Sequence, residues 1–211
     1  RMEYDPLLVE KAVRLAVRRD ADIERALHRQ TDPIYPMLDV EVRDRAFAEV
    51  FAAWFRKLRL EAPLSGLLEE RPLIGDRCSR CIVHEATRRS AECVELFVRE
   101  HDNGSVVRTL LVQVLPESVV SLDRVSSLLR RELLHVNDML SDAFGYRAGD
   151  LASLPQREQI VRDRYRVLWD IHVESRLLRE GRIDDRGFAR LGQVFERALT
   201  ARLPARTTRP P

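Results

Sequence analysis

The run Arg131-Glu132-Leu133-Leu134-His135 carries the densest chemical signal in the chain. On a helix, residues at i and i+4 share a face. Two histidines so spaced hold a zinc ion, and a glutamate directly after the first activates the metal-bound water. Here the glutamate and the second histidine stand in place, but Arg131 fills the first ligand position. A guanidinium keeps its proton at any ordinary pH and offers no lone pair to a metal. The stretch encodes the frame of a hydrolytic metal site together with a residue that works against the metal.

Further acids follow. Asp170 and Glu174 lie one turn apart in a later helical stretch, and Asp138 follows His135 by three. A metal held by His135 and two of these carboxylates is one alternative; an ordinary satisfied polar network in a helical core is the other. His172 is two residues from Glu174, so the two point to different sides of a helix, and it reads as a packed or exposed histidine. A second cluster is Cys78-Ser79-Arg80-Cys81, with His84 and Cys93 near it. Its spacing suggests four ligands for a structural zinc, a redox pair, or plain buried thiols.

The elements that must position these residues read as follows. A helix is expected from 5 to 29, capped by Asp5 with Pro6 in its first turn. A second runs from Asp39 to about Leu58, with Val42, Ala46, Val50, Ala53 and Trp54 on one face. Pro63, Gly66, Pro72 and Gly75 mark an irregular connection. Cys93–Glu100 and Val106–Leu115 form a hairpin about Asn103-Gly104, with a further strand near Ile82-Val83. A third helix, capped by Asp123, reaches Leu140 and places Glu132 and His135 among Val125, Leu128, Leu129, Val136 and Met139. A charged group on such a face requires pairing or coordination. A fourth helix runs from 156 to 180 and ends at Gly181. A short last helix spans 185 to 201. Trp54 and Trp169 read as core residues. No repeat, phosphate-cradling glycine loop or Gly-x-Ser-x-Gly elbow is present.

This order of hairpin, motif helix, loop and acid-bearing helix resembles the zincin metallopeptidases. Within them it is similar to the gluzincins, in particular the compact bacterial minimal gluzincins. The resemblance covers roughly residues 93 to 180. It implies a peptide or protein substrate and zinc as cofactor, with Glu132 as general base, His135 as a zinc ligand and Glu174 as the acidic ligand, a role Asp170 could exchange with it. Arg131 departs from the family pattern. With no zinc present, its guanidinium is expected to pair with Glu174. The expected fold is α+β, mainly helical around a small sheet. Residues 1–62 would form a helical region able to cover the cleft, 63–201 the zincin-like domain, and 202–211 a disordered tail. The functional expectation is a metallopeptidase homologue with an impaired zinc site, in effect a pseudoenzyme. The rival is a non-catalytic interaction or regulatory protein with a structural zinc at the cysteine loop.

Bulk properties narrow the classes. A net charge of +2 does not point to nucleic acid. Lys11 and Lys57 are the only lysines among 36 basic residues, a bias read as compositional and not as a polyanion site. No apolar run approaches the ~18 residues of a membrane span. Asp5, Glu10 and Arg14 would interrupt a leader's apolar stretch. Three clustered cysteines fit a reducing compartment, so the expectation is a bacterial-type cytoplasm.

Overall fold

The computed structural model describes residues 2–121, 123, 125–147, 159–182, 192–193 and 196. The fold is α+β: helices packed on a four-stranded mixed sheet. Strands β1 (Met2–Tyr4), β2 (Arg80–Glu85), β3 (Cys93–Glu100) and β4 (Val106–Val114) take the order β1-β2-β4-β3. β1 and β4 both run parallel to β2, and β3 pairs antiparallel with β4 as an edge strand. The buried carboxylate of Glu92 accepts a 3.0 Å bond from the backbone N–H of Leu115, tying the start of β3 to the end of β4.

The sheet has two unlike faces because side chains alternate along each strand. Cys81, Val83, Val94, Leu110, Val112 and Val114 point into the core. Ile82, His84, Cys93, Glu95, Phe97, Thr109, Leu111 and Gln113 occupy the opposite face and are half-buried or exposed. The core is closed by α1 (Pro6–Val17), α3 (Val40–Lys57), α4 (Ala62–Glu69), α5 (Pro72–Arg77), α6 (Pro116–Val120) and α7 (Ser126–Leu140). α2 (Ala21–Thr31) contributes Leu27. Trp54 is buried as expected, and its indole N–H donates to Gln30 Oε1 at 2.9 Å.

Several expected boundaries shift. The single helix read over 5 to 29 is two, because the Asp20 carboxylate accepts from the backbone N–H groups of Asp22 and Ile23 and starts α2 afresh. The irregular connection holds two short helices, α4 and α5, each with proline in its first turn, where a missing N–H costs nothing. α7 opens at Ser126 rather than at an Asp123 cap. In the hairpin only Gly104 takes a positive φ; the N–H of His101 donates to Ser105 O and that of Gly104 to His101 O, so Asp102-Asn103-Gly104 makes a three-residue loop, not a two-residue Asn-Gly turn. β1 was not expected at all.

The chain divides into compact units at Leu140/Ser141. Residues 1–62 are built into the first unit, since β1 extends the sheet and α1 supplies Leu8, Ala12 and Val13 to its core. In the second unit, α8 (Gln159–Arg179) carries Trp169, whose ring lies 5.2 Å from Phe144, 5.4 Å from Tyr146 and 5.8 Å from Tyr165. Gly181 ends this helical stretch with φ +67°. The expected last helix and tail fall almost wholly outside the described residues. Among the described residues, no helix is long and apolar enough to cross a membrane.

Candidate functional site

α7 runs against the edge strand β3. Its buried seam is Val125, Leu129, Leu133, Val136 and Leu140, a helical three–four repeat. This seam is rotated from the expected one: Leu128, Glu132, His135 and Met139 flank it and are half-buried. Glu132 and His135 therefore do not sit at the centre of the apolar face. Leu134 and Asp138 are buried as well, although they do not belong to the seam.

Arg131 and Glu132 are brought together. The guanidinium donates from Nη2 to Glu132 Oε1 at 3.0 Å and from Nε to the same oxygen at 3.3 Å. Adjacent helix positions do not ordinarily face each other, so both side chains must bend along the surface to meet. They are 34% and 26% exposed, and a pair so wetted adds little stability. Its consequence is chemical: the Glu132 carboxylate carries a cationic partner. Glu132 also lies near Cys93 on β3. Burial, then the charges of Glu95 and Glu132, push the Cys93 thiol above its ordinary value. That thiol donates to Gln113 Oε1 at 3.3 Å.

Asp170 and Glu174 stand one turn apart on α8 of the second unit. His172 is exposed, with its ring 6.3 Å from that of Phe144. Arg131 on α7 offers a metal no lone pair, and its guanidinium donates hydrogen bonds to the neighbouring carboxylate. Among the described residues no three His, Cys, Asp or Glu side chains are grouped as a metal ion requires.

The set Cys78, Cys81, His84 and Cys93 does not converge either. Cys81 and His84 are three residues apart on β2 and so project from opposite faces of the sheet. His84 and Cys93 share the outer face, each in register with Gln113 from opposite sides, about 10 Å apart across two strand spacings. A four-ligand zinc knuckle is excluded by this parity. Cys78 and Cys81 do remain neighbours: the Cys78 charge helps raise the Cys81 thiol, although burial is the larger cause. Sequence reasoning missed Met2 beside them, because a three-residue strand leaves little pattern to find. Compared with protein-family models, curated proteins and solved structures, the chain matches none.

Proposed function

We propose that this chain is a zincin-like, gluzincin-type homologue that holds a peptide or protein partner without cleaving it. The observation that carries this reading is the Arg131–Glu132 ion pair. It places a cation where the family has a metal ligand, and it engages the residue that would accept the water proton. The packing of α7 on an edge strand agrees with the element order of that family. A purely interacting protein from another class is the second reading, favoured by Phe97 and Val98, more than half exposed on edge strand β3.

Proteolysis and zinc binding test the proposal together. The purified chain should leave casein and a peptide library intact, with or without a chelator. Arg131→His, made in a Cys78→Ser/Cys81→Ser background, should gain stoichiometric zinc and lose it again on Glu174→Ala. Chelator-sensitive cleavage by the parent, abolished by Glu132→Gln, would show an active enzyme. Equal, weak zinc binding by parent and Arg131→His would remove the zincin reading and leave the interaction reading.

A further inference from the structure

A cavity of about 350 Å³ opens against the buried face of the sheet, with Met2, Ile74, Cys78, Cys81 and Leu110 in its wall. Three sulfur atoms thus belong to residues lining one cavity. Met2 and Cys81 are register partners on adjacent parallel strands, so their side chains leave the same face one strand spacing apart. Cys78 caps the end of α5, its N–H donating to Ile74 O at 2.9 Å. The next residue, Ser79, donates from its N–H to Arg108 O at 2.8 Å and pins the loop to β4. The Tyr4 hydroxyl donates weakly to Met2 Sδ at 3.8 Å. All three cysteines of the chain are free thiols.

We propose that Met2, Cys78 and Cys81 form a site for a soft monovalent cation, Cu(I), held by two thiolates and a thioether. Structural zinc takes four N, S or O ligands in a tetrahedron, and no third His, Cys, Asp or Glu joins the two cysteines among the described residues. Thiolate and thioether donors together select Cu(I). The adduct would carry one net negative charge, and the Arg108 guanidinium, which favours the Cys78 thiolate against the larger opposing effect of burial, supplies a counter-charge. Binding forms two Cu–S thiolate bonds and one thioether bond, breaks two S–H bonds, releases two protons to solvent and leaves copper as Cu(I).

The test is an anaerobic titration of the reduced full chain with Cu(I) against a chromophoric Cu(I) chelator. One equivalent should bind, with only sulfur neighbours in the copper X-ray absorption spectrum. Cys78→Ser, a near-isosteric change at the half-buried end of α5, should weaken binding about 100-fold, and Met2→Leu about tenfold. Cys93→Ser should change nothing, and a tenfold excess of zinc should not displace the copper. Undiminished binding by a Cys78→Ser protein with parental circular dichroism would overturn the site, as would nitrogen or oxygen neighbours or displacement by zinc.

Discussion

At the scale of single residues, two carboxylates define what this chain can be asked to do. Glu132 keeps its cationic neighbour, whereas the Oε2 of Glu61 is buried without a hydrogen-bond partner. An orphaned buried oxygen costs about 1–3 kcal/mol. Glu61→Met is therefore expected to raise stability by about 1 kcal/mol, read as a higher denaturation midpoint with an unchanged slope. A lower midpoint would mean that the carboxylate is satisfied in solution. Arg130 gives the opposite case, gripping Glu70 through Nε and Nη2 at 3.1 Å, with both side chains largely shielded. Arg130→Met should cost about 1.5–3 kcal/mol in the same assay. The unusual arginine at 131 was legible in the sequence because a motif has fixed spacing. Its bond to the adjacent Glu132 was not legible, because helix geometry gives no reason to look there.

Elements were legible wherever one period held for many residues. α3, the hairpin strands and α7 stand close to where the hydrophobic pattern places them. The phase of α7 was misjudged because Leu128 and Met139 are apolar but only half-buried, beside the core, and they drew the predicted stripe toward Glu132 and His135. The true seam predicts that Leu133→Ala costs about 2–5 kcal/mol, against well under 1 kcal/mol for an exposed position such as Ser127. Comparable losses at both would deny the seam. α4 and α5 stayed hidden because proline and glycine read as breakers, while proline in a first turn starts a helix. Asp20 behaves as a true cap, so Asp20→Ala should destabilise by about 1 kcal/mol and Asp20→Ser by much less. The parity of β2 was available in principle: once a strand is drawn from Arg80 to Glu85, Cys81 and His84 must diverge.

For the molecule as a whole, buried thiol and phenol groups set an alkaline limit. Burial, with smaller effects from Cys78, pushes the Cys81 thiol up to about 12, and burial also raises the Tyr4 phenol. In the unfolded chain the thiol ionises near 9. Between these values the unfolded state binds fewer protons, so stability falls as pH rises from about 9 and stops falling on account of Cys81 near 12, by up to about 1.4 kcal/mol per pH unit. Cys81→Ala should flatten that stretch of the curve in pH-dependent denaturation; an unchanged slope would place the effect on other groups. Whole-molecule organisation was the least legible level, because β1 is three residues long and its partners lie far along the chain. That distance has a consequence for biosynthesis. Met2–Tyr4 are made some eighty residues before their hydrogen-bonding partners Cys81–Val83, and β4 follows later still. Until then the nascent chain holds α1 to α5 with no sheet to lie on, and their apolar faces wait uncovered. The first unit should therefore resist folding piecemeal during translation and close in one late step, after Val114 has cleared the exit tunnel.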